Sequence, residues 1–325
     1  MRRKLTGVMI GLSMAWFPLT GARADEVQAA SASARISESR QVDYVSQVTG
    51  RPYRLLISLP EAPPPPEGYP VVYVTDGGLY FGTVTETARL QGLNFYTPPI
   101  VVAIGYQEEG TRPALTLRTK DLSLPIDAAS IEANPLFTHS KLKAEDTGEL
   151  DDYLTMLRTE VRSRIVAEYP VDLSRQVIFG HSLGGLAVLR QLLRDPAAYS
   201  GYIASAPSIW YDDKAVLADM DGLPDLLRPL SKAPTLILMV GGDEEDLPRI
   251  APDNDTLPAA LSSISTAELR EGLRISAMVT NVQQLDERLS EMDNINVTTV
   301  VFPDEDHASV VPAAISRGLR LTLTK

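Results

Sequence analysis

Gly180-His181-Ser182-Leu183-Gly184, followed by Gly185, is a G-x-S-x-G sequence lying between an apolar run over 176–179 and a helical pattern over 183–194. A sharp strand-to-helix turn forces such a serine into a strained backbone conformation and exposes its hydroxyl. The flanking glycines leave room for the turn and for close helix–strand packing. Helix N-terminal N–H groups then point at any oxyanion that forms nearby. Ser182 is therefore expected to be a nucleophile, with the Leu183 N–H as the first oxyanion donor.

A hydroxyl needs a base to attack at neutral pH, and the chain has only three histidines. His181 adjoins Ser182, where its side chain should diverge from the reaction and pack. His139 lies upstream, after Asn134-Pro135. His307 follows the last apolar run, in Phe302-Pro303-Asp304-Glu305-Asp306-His307. In strand–elbow–helix hydrolases the chain order is serine, acid, histidine, and only His307 fits it. For the acid, an apolar run over 235–240 leads into Gly241-Gly242-Asp243-Glu244-Glu245-Asp246. Any of the four carboxylates could orient His307, and the Gly-x-x-acid spacing favours Glu244. The alternative is a Ser–His dyad without a tightly paired acid. A second oxyanion donor is expected from Asp76-Gly77-Gly78-Leu79 after the run over 71–75, at Gly78. Three scattered histidines and no cysteine offer no paired-ligand motif, so neither a metal nor another cofactor is expected.

The elements that must position these residues are legible as alternation. Runs over 42–48 and 53–59, joined through Gly50-Arg51-Pro52, read as a hairpin. Short apolar runs follow over 71–75, 100–105, 177–180, 202–205, 235–240 and 297–302, as in buried parallel strands. Leu150, Tyr153, Leu154, Leu157, Val161 and Ile165 recur at helical spacing, and 183–194 and 281–292 are further helices. Strands alternating with helices predict an α/β fold, a mostly parallel central sheet with helices on both faces.

At the N-terminus, Arg2, Arg3 and Lys4 precede an apolar run over 5–19, and Ala22-Arg23-Ala24 has the small-x-small cleavage pattern. This predicts a signal peptide over 1–24, a flexible lead-in over 25–40 and a single domain over 41–325. The apolar run is shorter than the ~20 residues a membrane span needs. The expected product is periplasmic or secreted, with no membrane insertion after cleavage. Removing the segment's four basic residues takes the formal charge from −12 to −16. Such an acidic, patternless surface argues against nucleic acid as a partner and leaves a small-molecule substrate.

With these residues in view, the chain resembles the esterase family that contains esterase D, the antigen 85 mycolyltransferases and the trilactone siderophore esterases. The likeness runs over about 42–312 and rests on Asp76-Gly77-Gly78, Ile104-Gly105-Tyr106, Arg118-Thr119-Lys120-Asp121-Leu122-Ser123, the elbow, Ser205-Ala206-Pro207-Ser208-Ile209-Trp210, Val240-Gly241-Gly242 and His307. It implies an α/β-hydrolase fold. Ile-Gly-Tyr, Arg-x-x-Asp and Ser-Ile-Trp together are most similar to exported esterases of the enterobactin and salmochelin type. They imply hydrolysis of a catecholate trilactone, ferric or iron-free, with Arg118 contacting substrate and Trp210 packing on its rings. A feruloyl, acetyl or thioester substrate, or a non-catalytic binding protein on the same fold, are the alternatives. Two positions depart from the family: it often has Asp-Gly-Asn where this chain has Asp76-Gly77-Gly78, and Glu where it has Gly242.

Overall fold

The chain is described by a computed structural model covering residues 35–108, 111–245 and 264–324. The expected signal peptide, most of the lead-in and Asp246 lie outside the described residues.

The apolar runs form eight strands: β1 (Ser39–Val45), β2 (Pro52–Ser58), β3 (Tyr69–Val74), β4 (Ile100–Gly105), β5 (Val171–His181), β6 (Gly201–Ser205), β7 (Thr235–Gly241) and β8 (Asn296–Phe302). They pair in the order β1-β2-β4-β3-β5-β6-β7-β8. The β1–β2 and β2–β4 pairs are antiparallel, and every later pair is parallel. β1 begins at Ser39, three residues before the expected start and inside the expected lead-in. The shift comes from the turn. Ser46 N–H donates to Arg51 O at 2.9 Å, and the Ser46 hydroxyl accepts from the Val48 and Thr49 N–H groups. Chain reversal therefore occupies 46–51 rather than 50–52, which moves the β1 register back.

Side chains alternate across the pleat, so each parallel strand feeds two cores. Val72, Val74, Val177, Phe179, Ile203, Ile237 and Met239 face one side. There they meet α1 (Gly77–Gly92), through Phe81, Val84 and Ala88, and a C-terminal helix over Val310–Leu323, through Ala314, Ile315 and Leu319. Val71, Tyr73, Ile178, Tyr202, Leu236 and Leu238 face the other side. That face is covered by α2 (Arg112–Leu122), α3 (150–168), α4 (Leu183–Arg194) and α5 (Met278–Ser290). With the C-terminal helix as α6, the result is an α/β-hydrolase fold with a mostly parallel eight-stranded sheet and helices on both faces. α3 carries the expected apolar face but widens to a π-type turn over Leu157–Val161 before continuing to Glu168.

After β3 the chain crosses through α1 to β4 on one side; after β5 it crosses through α4 to β6 on the other. The two crossovers use opposite faces, leaving a crevice beyond the carboxyl ends of β3 and β5. Open α/β sheets bind ligands at such a switch point. Asp76-Gly77-Gly78 and Ser182 both emerge there.

Candidate active site

Ser182 lies between the last residue of β5 and the first of α4, at φ 61° and ψ −120°. That region costs a non-glycine residue about 1–3 kcal/mol and persists only where neighbours enforce it. Here they do. Its N–H donates to Ser205 O at 3.0 Å, and its carbonyl accepts from Leu186 N–H at 3.0 Å and Ser208 N–H at 3.2 Å. A Cβ on Gly180 would overlap the Gly184 carbonyl, and one on Gly184 would overlap the Thr75 hydroxyl. The glycines thus permit the close crossing that turns the chain. Ser182 Oγ lies 3.5 Å from Ser208 Oγ.

His307 rides on the loop between β8 and α6, and its Nδ1 is 2.6 Å from Glu244 Oε2. Glu244 is only 2% exposed, and its second oxygen accepts the Gly241 N–H at 2.7 Å. Gly242 N–H donates to Phe302 O at 2.8 Å and Asp243 N–H to Glu305 O at 3.1 Å, which ties the acid's loop to the histidine's loop. With Nδ1 engaged by the carboxylate, Nε2 is the nitrogen left for proton transfer. Among the described residues of the acidic run, Glu244 is thus the carboxylate brought to His307. Glu245 turns away and accepts from the Thr280 N–H and hydroxyl.

Two helix heads converge on the crevice. The first-turn N–H groups of Leu183 and of Gly78 have no carbonyl four residues back within their helices. At the head of α1, Leu79 and Tyr80 N–H instead close on Asp76 O, at 3.0 and 3.2 Å. Asp76 itself is left-handed (φ 56°, ψ 51°).

Over residues 46–266 the sequence matches the family described as Putative esterase. The chain belongs to that family. The esterase is 31% identical over 284 residues to the ferri-bacillibactin esterase BesA of Bacillus subtilis, covering 86% of this chain and 87% of that one. It is 29% identical over 289 residues to a siderophore triacetylfusarinine C esterase of Aspergillus fumigatus, covering 86% and 91%. Among solved structures, the BES protein of Bacillus cereus superposes with a TM-score of 0.71 at 27% identity, over 91% of this chain and 98% of that chain. The protein is a carboxylic ester hydrolase.

Arg118 and Trp210, both expected at the substrate, line different cavities of the esterase. Arg118 lines a cavity of about 80 Å³ with Asp76, Gly78, Leu79 and Tyr106. Its guanidinium grips the Asp76 carboxylate in a fork, Nε to Oδ1 at 2.5 Å and Nη2 to Oδ2 at 2.9 Å. Much of its charge is thus spent inside the protein, a pairing the sequence reading did not foresee. Trp210 stacks on Phe137 with centroids 5.0 Å apart and lines a second cavity of about 260 Å³ with Asn134, Asp212 and Lys214. His139 lies on a short helix, Pro135–Ser140. His181 is buried as expected, but its ring does not diverge from the site: it stands 4.5 Å from the His307 ring, centroid to centroid. Strand alternation could have found it, because His181 closes β5 on a face its neighbours bury. No helix of the described residues is long and apolar enough to cross a membrane.

Proposed function

We propose that this esterase is an exported serine hydrolase that opens the ester bonds of a catecholate trilactone siderophore of the enterobactin type, ferric or iron-free, and so serves iron acquisition. The observation that carries the catalytic part is the buried Glu244 carboxylate on His307 Nδ1, together with a serine held at φ 61° on a strand-to-helix turn. Ser182 Oγ attacks the ester carbonyl while His307 Nε2 takes its proton, and Glu244 steadies the imidazolium that results. The Leu183 and Gly78 N–H groups receive the tetrahedral oxyanion. The same proton then returns to the leaving alcohol, and a water activated by His307 releases the acyl group. Arg118, although paired with Asp76, lines one cavity and presents its remaining exposed N–H groups to an anionic catecholate, while Trp210 offers an aromatic face in a separate cavity. The names of the relatives support a siderophore ester as substrate; the basic, apolar and Ala-x-Ala segments of residues 1–24 support export to the periplasm or beyond.

The decisive assay follows ferric and iron-free enterobactin by liquid chromatography and mass spectrometry, with the protein and with Ser182→Ala. Linear trimer, dimer or monomer should appear with the protein and not with the variant. Intact enterobactin alongside Ser182-dependent cleavage of a nitrophenyl ester would keep the hydrolase and move the substrate search to aryl and sugar esters. Mass analysis of the protein recovered from cells tests export: an N-terminus at Asp25 is expected, and an intact Met1 in the cytoplasmic fraction would overturn it.

A further inference from the structure

Asp76 has no step in the chemistry just described, yet it stands where the two helix heads meet. Its backbone is left-handed (φ 56°, ψ 51°), a conformation that costs any residue with a Cβ. Leu79 and Tyr80 N–H both close on its carbonyl, so this one residue sets where α1 begins and where the Gly78 N–H lies. Its carboxylate is only 1% exposed. One oxygen, Oδ2, would lie 3.3 Å from a Cβ on Gly184, in the first turn of α4. A bare carboxylate there would offset the positive potential of both helix heads and repel an oxyanion forming near them. Arg118 meets it from α2 with a two-pronged grip, Nε on Oδ1 and Nη2 on Oδ2. Such a fork fixes the plane of the carboxylate and answers its charge. The cavity of about 80 Å³ beside the pair is lined by Asp76, Arg118 and Gly78 together.

We propose that Arg118 acts on the reaction through Asp76: the ion pair positions the second oxyanion donor, holding the left-handed turn that places the Gly78 N–H and cancelling a negative charge beside the forming oxyanion. The proposal rests on the reading of Ser182 as nucleophile and of Leu183 and Gly78 as oxyanion donors, and it goes beyond a contact between Arg118 and substrate. Three constraints meet at the turn. Gly77 is pressed against β4, where a Cβ would come within 2.9 Å of the Ile104 carbonyl carbon. Thr75 N–H is held to Phe179 O at 3.1 Å, one strand over. The fork is the third, and it fixes the side chain of Asp76 as those two fix the backbone on either side. A cation that only touched substrate would lower KM for anionic esters and leave neutral ones alone. A cation that acts through Asp76 raises kcat for every ester. Without Arg118 the carboxylate keeps its charge and loses its partner, which harms an oxyanion more than losing both groups does.

The test uses nitrophenyl acetate, a neutral ester, with Arg118→Met, Asp76→Asn and the double variant. It reads kcat, KM and fluorophosphonate labelling of Ser182, with the Tm to show that each variant folds. Asparagine tolerates a left-handed backbone, so Asp76→Asn removes the charged fork and spares the turn's own preference. Arg118→Met should lower kcat and labelling by about a hundredfold with KM little changed, the cost of a displaced donor and an uncancelled charge. Asp76→Asn should cost about tenfold, and the double variant should match it, recovering about tenfold over Arg118→Met. Wild-type kcat and labelling in Arg118→Met, with a loss confined to KM for enterobactin, would overturn the proposal and leave Arg118 as a substrate contact. A double variant no faster than Arg118→Met would overturn it too. Gly78→Pro deletes the N–H at an exposed first-turn position. Its full turnover would overturn the oxyanion assignment itself, as activity in Ser182→Ala would overturn the nucleophile. If Arg118→Met does not fold, Asp76→Asn decides: a kcat loss with KM unchanged supports the pair, and an unchanged kcat overturns it.

Discussion

Among Asp243, Glu244 and Glu245, the described carboxylates of the acidic run, Glu244 is withdrawn from water and given a backbone N–H, and it is the one that meets His307. Glu244→Ala leaves the imidazole without its partner. It is expected to lower kcat on a nitrophenyl ester by about a hundredfold or more with KM little changed; a loss below threefold would mean a working Ser–His dyad. A second expectation concerns His181. Unfolded, it takes up a proton near its ordinary value of 6.5, whereas the folded chain binds that proton only at much lower pH. The unfolded state therefore binds more protons as pH falls below 6.5, and stability declines over that range. His181→Phe should flatten this part of the Tm–pH curve; an unchanged slope would show that other groups set it. At this scale the sequence disclosed what is local. Ser182 announces itself through five contiguous residues, and His307 through chain order. Glu244 is one of four consecutive carboxylates in the sequence, and its burial sets it apart from Asp243 and Glu245 only in the fold. The Arg118–Asp76 fork joins residues 42 apart that share no local pattern, so only the folded chain could reveal it.

The elements carry a different kind of information. The parallel strands were legible because both of their faces are apolar. The start of β5 was not, since Asp172, Ser174 and Arg175 are polar and tied to one another, with Arg175 Nε at 2.6 Å from Asp172 Oδ2. The helix over 150–168 was legible as a face, but a π-type turn changes hydrogen-bond spacing without disturbing which residues are apolar. Where α4 crosses β3, the tolerance is smallest. A Cβ on Gly184 would meet the Thr75 hydroxyl and come within 3.3 Å of Asp76 Oδ2. Gly184→Ala should separate the heads of α1 and α4, at a cost of about 1–3 kcal/mol in denaturant unfolding. It should also slow fluorophosphonate labelling, because both proposed oxyanion donors belong to those heads. Labelling at the wild-type rate would show that the crossing can relax without cost to the site.

Across the whole molecule, a charged cluster helps to fasten the antiparallel edge to the helices. Arg51, at the start of β2's hairpin, pairs with Asp121 of α2 and with Glu149 at the head of α3. Asp121 is fully buried, and its Oδ2 also accepts from the hydroxyls of Tyr53, at 2.8 Å, and Tyr106, at 3.0 Å. Asp121→Ala would take one of two carboxylates from the largely buried Arg51 guanidinium and this acceptor from the Tyr53 and Tyr106 hydroxyls, and should destabilise the fold by about 3 kcal/mol or more. Equilibrium denaturation measures it, and a loss below 1 kcal/mol would mean that water replaces the carboxylate there. Tyr106 also lines the Arg118 cavity, so the variant should change KM as well as stability.

The site has no local home. Asp76, Ser182, Glu244 and His307 follow β3, β5, β7 and β8, and β8 pairs with β7 alone, at the far edge of the sheet. Contacts this distant in sequence are slow to form. If Ser182 and His307 act as proposed, the nucleophile's turn could form before its base arrives, and competence is expected late in folding. A nascent chain that ends before residue 307 would hold the elbow yet lack the proposed proton acceptor, and covalent labelling of Ser182 during refolding would time the docking of the last strand.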